Sequence, residues 1–95
     1  MIGKFATSKA GHDKDQLYVI VGEEGDFVYL CDGRLKPLNR PKKKRMKHIQ
    51  IINVTVEESL KSRLIDKEAV RDEEIKYAIK NYIKKIKQKV EEMYV

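Results

Sequence analysis

Apolar positions change rhythm once along this 95-residue chain: they come in short bursts up to residue 56, then recur every three or four residues. Residues 2–7 mix apolar and small side chains in the manner of a strand. Residues 8–16 are polar and contain Gly11, so the chain is expected to turn there, on a residue that tolerates φ > 0. Leu17, Tyr18, Val19, Ile20 and Val21 form a β-branched and aromatic run that stops at Gly22, the pattern of a second strand. Glu23, Glu24, Gly25 and Asp26 read as a tight hairpin turn. Phe27, Val28, Tyr29, Leu30 and Cys31 make a third strand, closed by the turn pair Asp32 and Gly33. Pro37 and Pro41 argue against helix in residues 34–48, because proline lacks an N–H and restrains the residue before it. Residues 48–56 resume with Ile49, Ile51, Ile52, Val54 and Val56, predicting a fourth strand. Its change of phase between Ile51 and Ile52 predicts a bulge or a strand end. Four or five short strands leave exposed edges unless the sheet closes, so the pattern predicts a small β-barrel.

The helical rhythm predicts a short helix over residues 57–65 and a longer one starting near Asp72. Asp72 suits an N-cap, and Glu73 and Glu74 stand in the first turn, where the helix dipole favours carboxylates. Ile75, Ile79, Tyr82, Ile83, Ile86, Val90 and Met93 then share one face, and Lys76, Lys80, Lys84 and Lys87 occupy another. An apolar stripe this regular is expected to pack on the barrel of its own chain rather than wait for a partner. The fold class is therefore mainly β with a C-terminal α segment. Residues 1–56 form the barrel, including the basic segment 34–48, and residues 57–95 form helices packed on it, in one domain with a single small core.

Charge sharpens this picture because it is placed unevenly. The formal charge is +6, yet residues 1–33 carry three lysines against six acids, and residues 49–95 carry ten bases against nine acids. Residues 34–48 carry eight bases and no acid: Arg34, Lys36, Arg40, Lys42, Lys43, Lys44, Arg45 and Lys47. Eight like charges in fifteen residues repel one another, and they are stabilised when they meet phosphates and release counterions. The prolines and the strands on either side hold this run on the folded body, which favours a polyanion partner over a solvated loop. The turn after the first strand is the second candidate contact. Lys9 and Lys14 flank the close backbone approach that Gly11 permits, and His12 offers a ring that can stack on an unpaired base. His48 stands at a strand edge beside the basic run.

Other chemistries lack parts. Two histidines and one cysteine, with no base near a nucleophile, supply no catalytic triad, so no enzymatic activity is expected. His12 with Asp13, or His48 with Cys31, lacks the spacing of a metal site, and no cofactor is expected. Cys31 reads as a small buried strand residue, and a lone cysteine fits a reducing compartment. No apolar run exceeds five residues, against roughly 7–15 for a signal sequence and about 20 for a membrane span. A soluble, cytoplasmic protein without a targeting signal is expected.

The stretch 2–21, strand, Gly11-centred polar turn and second strand, resembles a KOW motif, the RNA-contacting hairpin of several ribosomal proteins and transcription elongation factors. Arg40-Pro41-Lys42-Lys43-Lys44-Arg45-Met46-Lys47-His48 is similar to the proline-led lysine segment of the archaeal and eukaryotic large-subunit ribosomal protein fourteen-e and its short bacterial KOW-domain relatives. Asp72-Glu73-Glu74-Ile75-Lys76-Tyr77-Ala78-Ile79 resembles the acid-capped helix start of those relatives. The resemblance covers residues 2–48 and 72–80 and carries little over 54–70. Asp15 departs from it: the family commonly has a second glycine there, and a carboxylate repels phosphate. The resemblance implies a small SH3-like barrel. It also implies structured RNA as ligand, ribosomal RNA of the large subunit above all, contacted through the Gly11 loop and the lysine segment. Off the ribosome the chain is expected to be a monomer, with no membrane and no small-molecule substrate. The alternative class is a protein-interaction module in which the barrel and the last helix bind an acidic protein partner.

Overall fold

A computed structural model describes residues 1–9 and 16–93. Among the described residues, five strands form one antiparallel sheet: β1 (Lys4–Ser8), β2 (Leu17–Glu24), β3 (Phe27–Cys31), β4 (Lys42–Arg45) and β5 (Ile49–Thr55). Their order across the sheet is β4-β3-β2-β1-β5, with the 3-10 turn Met46–His48 between β4 and β5. Two helices follow, α1 (Glu58–Ile65) and α2 (Asp72–Met93).

Alternation along β2 explains how so thin a sheet buries both faces. Val19 pairs with Phe5 and Cys31, and these belong to a cluster completed by Val56, just after β5, and by Leu60, Leu64 and Ile75 of the helices. Tyr18 and Ile20 point the other way and join Ala6, Val28, Leu30 and Ile49 in a second cluster drawn from strands alone. A strand buried on both faces reads as a continuous apolar run, which is why residues 17–21 carry no polar position. Leu60 and Leu64, one helical turn apart, give α1 its inward face. Tyr82 of α2 stacks on Phe5 with ring centroids 4.6 Å apart, so β1 and α2 share an aromatic contact.

Five details depart from the sequence expectations. β2 does not stop at Gly22: Gly22, Glu23 and Glu24 pair with Tyr29, Val28 and Phe27, so the hairpin turn is only Gly25 and Asp26. The basic run itself contributes a strand, so the expected fourth strand over 48–56 is β5. Lysine is a poor strand former; Lys42–Arg45 is extended because β3 offers a ladder, Leu30 opposite Lys42 and Phe27 opposite Arg45. The irregularity in β5 lies just beyond the Ile51–Ile52 step. Those two residues simply face opposite clusters, and one step from Phe5 to Lys4 on β1 then spans Ile52 to Thr55 on β5. Asp72 is the first residue of α2, not its cap. Its Oδ1 accepts the N–H of Leu38 at 2.8 Å, while Glu74 reaches back to the Arg71 N–H at 2.9 Å, as the third residue of a capping box does. Finally, the apolar stripe of α2 packs only in its first half. Ile75 is fully buried and Ile79 and Tyr82 are half-buried, but Ile83, Ile86, Val90 and Met93 are 40, 44, 47 and 81 % exposed. The sheet is short, and a helix of 22 residues outruns it.

Candidate nucleic-acid interface

β4 is an edge strand, and its alternation sorts four cations into two rows. Lys43 and Arg45 face the same side as their cross-strand partners Tyr29 and Phe27. The Lys43 ammonium lies 4.6 Å from the Phe27 ring centre and 6.0 Å from that of Tyr29, and the Arg45 guanidinium lies 5.0 Å from Phe27. Cations over aromatic faces are held in place by the ring electrons. Tyr29 is fixed in turn: its hydroxyl donates to Glu24 at 2.5 Å, which with nearby Lys43 holds that carboxyl below its ordinary range. Its ring covers Gly22, where even a β-carbon would stand 3.3 Å from the ring.

Lys42 and Lys44 lie opposite Leu30 and Val28, residues of the strand-only cluster. Both are half-buried, their aliphatic stems covering the rim of that cluster. Burial pushes the Lys42 ammonium down from its usual value, and the charge of Lys44 adds to the effect. The Lys44 ammonium donates to the hydroxyl of Ser8, a buried residue at the end of β1. β1 is separated from β4 by two strands in the sheet order, so this contact joins strands that are not neighbours.

The end of β1 brings a further cation to the same place. The Lys9 N–H bonds to the carbonyl of His48 at 3.0 Å, and its ammonium stands 3.5 Å from the carbonyl of Lys47. Met46, opening the turn, donates its N–H to the backbone carbonyl of Asp26 at 2.8 Å. Lys9, Lys44, Lys47 and His48 are thereby gathered around the 3-10 turn, with Lys47 and His48 exposed. Gly11, His12 and Lys14, expected to extend this surface, lie outside the described residues, as does Asp15.

Arg34, Lys36 and Arg40 belong to the β3–β4 connection, which is built around two aspartates. Asp32 Oδ1 accepts the N–H groups of Arg34 at 2.8 Å and Lys36 at 2.9 Å. Asp72 takes the Leu38 N–H, and the Arg40 N–H returns to Pro37 at 3.0 Å. Gly33 makes this connection possible: its φ is +77°, and a β-carbon would stand 2.5 Å from the Asp72 carbonyl oxygen. Arg34 and Arg40 are exposed and Lys36 is half-buried, so the connection presents two of its three cations freely to solvent.

Sequence reasoning missed Phe27 and Tyr29 as supports for cations; their only signal was a period-2 offset matching Lys43 and Arg45, visible once β4 is known to be a strand. It also missed Ser8 as the acceptor for Lys44. Cys31 is fully buried, and burial above all pushes its thiol up to about 11, which suits an inert core position. Among the described residues, no group of three His, Cys, Asp or Glu could hold a metal ion, and no helix is long and apolar enough to cross a membrane. No protein-family model matches this chain, and no curated protein matches it.

Proposed function

We propose that this protein is a non-enzymatic binder of structured RNA, acting in the cytoplasm on ribosomal RNA of the large subunit. The observation that carries this reading is an ordered, acid-free edge strand of cations. Lys42, Lys43, Lys44 and Arg45 are held in register with β3, Lys9, Lys47 and His48 adjoin them, and Arg34 and Arg40 extend the positive surface. Cations fixed by rings, a hydroxyl and the backbone have lost much of their side-chain freedom before binding, so meeting phosphates costs less ordering. Two features support an SH3-like barrel of the KOW kind as the scaffold: the strand order β4-β3-β2-β1-β5 with a 3-10 turn before β5, and the Lys44–Ser8 contact between strands that are not neighbours in that order. In this reading the Gly11 turn, which follows Lys9 in the sequence, adds Lys14 and His12 to the surface.

The test is the salt dependence of binding. Affinity for a structured RNA, a ribosomal RNA stem-loop for example, is measured by fluorescence anisotropy across ionic strength, for the natural chain and for the variant with Lys42, Lys43, Lys44 and Arg45 all changed to Ala. The reading requires the variant to bind more weakly and with a shallower salt slope. Equal affinity and equal slope would end it.

A further inference from the structure

We propose that the distal half of α2, from Ile83 to Met93, is a docking helix for an acidic amphipathic helix of a partner protein. The surface is separate from the cationic edge strand. Up to Tyr82 the helix is anchored: Ile75 is fully buried and Tyr82 stacks on Phe5. Beyond Tyr82 the apolar positions continue to Met93 while becoming exposed.

The spacing of those positions defines what fits them. Ile79, Ile83, Ile86, Val90 and Met93 follow one another at steps of four, three, four and three. This is the heptad seam of a coiled coil, with β-branched Ile83 and Val90 at one seam position and Ile86 and Met93 at the other. A seam of this kind is narrow, the width one partner helix covers, whereas a helix lying on a membrane presents a broader apolar face. The exposed segment from Ile83 to Met93 is about 16 Å long at 1.5 Å per residue.

Charge selects among possible helices. Residues 80–93 carry five lysines, Lys80, Lys84, Lys85, Lys87 and Lys89, against Glu91 and Glu92, and neither glutamate stands directly beside the seam. Lys80, Lys87 and Lys89 occupy positions directly beside the seam, where flanking residues of two paired helices meet. A second copy of this chain pairing antiparallel sets lysine against lysine there, and pairing parallel gains no opposite charge. A partner with glutamates in those positions gains attraction at every flank. Phosphates alone would engage the lysines and leave Ile83, Ile86, Val90 and Met93 in water.

The experiment uses the full chain and three synthetic helical peptides of about three heptads. The first has leucines in the seam and glutamates at the flanks, the second replaces the flanking glutamates by lysines, and the third replaces the seam leucines by serines. Calorimetric titration is expected to show saturable, micromolar binding of the first peptide, and binding at least about tenfold weaker for the other two. The variant I83S/I86S should lose about tenfold in affinity for the first peptide with an unchanged melting temperature, because both side chains are exposed. The variant K87E/K89E should prefer the lysine-flanked peptide. Several results would overturn the proposal. They are the absence of saturable binding, equal binding of the glutamate and lysine peptides, and a dimer of the chain that I83S/I86S abolishes. Binding to phosphatidylserine vesicles or to duplex RNA that I83S/I86S abolishes and the acidic peptide fails to displace would overturn it as well.

Discussion

Glu74 and Arg63 form a two-pronged ion pair between the helices, with guanidinium nitrogens 2.7 and 3.1 Å from the two carboxylate oxygens. The same carboxylate accepts the Arg71 N–H at 2.9 Å, so one side chain joins α1 to α2 and caps the start of α2. The Arg63 guanidinium first, and the Arg71 N–H next, hold the Glu74 carboxyl down to about 2, against an ordinary value of 4.5. A depressed carboxyl stabilises the fold fully above its unfolded value, and that contribution is lost as pH falls from about 4.5 to about 2. Thermal unfolding between pH 6 and pH 2 should show a steeper acid loss for the natural chain than for Glu74→Gln, which lacks the titrating group. Parallel pH profiles for the two proteins would refute the assignment.

The packing boundary on α2 gives a contrast within one helix. Ile75 is fully buried, so Ile75→Ala is expected to cost about 2–5 kcal/mol. Ile83 and Ile86 are exposed, so the same change at either should stay within about 0.5 kcal/mol. Urea unfolding of the three variants measures this directly. Comparable losses at Ile75 and Ile83 would mean that the helix packs along its whole length.

Gly33 and Gly25 both have positive φ, +77° and +59°, but only Gly33 is crowded. Nothing lies within 4 Å of a β-carbon placed on Gly25, while at Gly33 the Asp72 carbonyl oxygen is in the way. Gly25→Ala should cost about 1 kcal/mol, the ordinary penalty of left-handed backbone. Gly33→Ala should cost clearly more, because the connection must also move away from α2. Melting curves of the two variants suffice, and equal shifts would contradict the close approach.

Phosphate contacts set the salt slope of binding. If about four of the eight cations in residues 34–48 reach phosphates, log affinity should fall with log salt at a slope of about −3 to −4. Changing Lys43 alone to Ala should reduce that slope by about one and weaken binding to unrelated structured RNAs alike. A change confined to one RNA sequence would assign Lys43 to base reading instead.

Local chemistry made most elements legible in the sequence. β2 and β3 are recognisable locally from their dense runs of β-branched and aromatic residues, although β2 runs on through Gly22 to Glu24 because β3 continues to pair with it. The starts of both helices are readable because acids and apolar periodicity coincide within a few residues. The cations of the candidate site were readable as a cluster for the same reason: charge is a property of each residue type.

Tertiary structure decided three matters that no local window contains. Lys42–Arg45 has no strand propensity of its own, and its extended form, with its sorting of cations into two rows, is imposed by hydrogen bonding to β3. Asp72 has the chemistry of a cap but serves Leu38, because the β3–β4 connection passes within reach while Glu74 supplies the cap. The stripe on α2 is continuous in sequence, and only the extent of the sheet beneath it determines that burial ends near Tyr82. Periodicity shows which side of a helix is apolar; the length of the surface it meets determines how much of that side is covered.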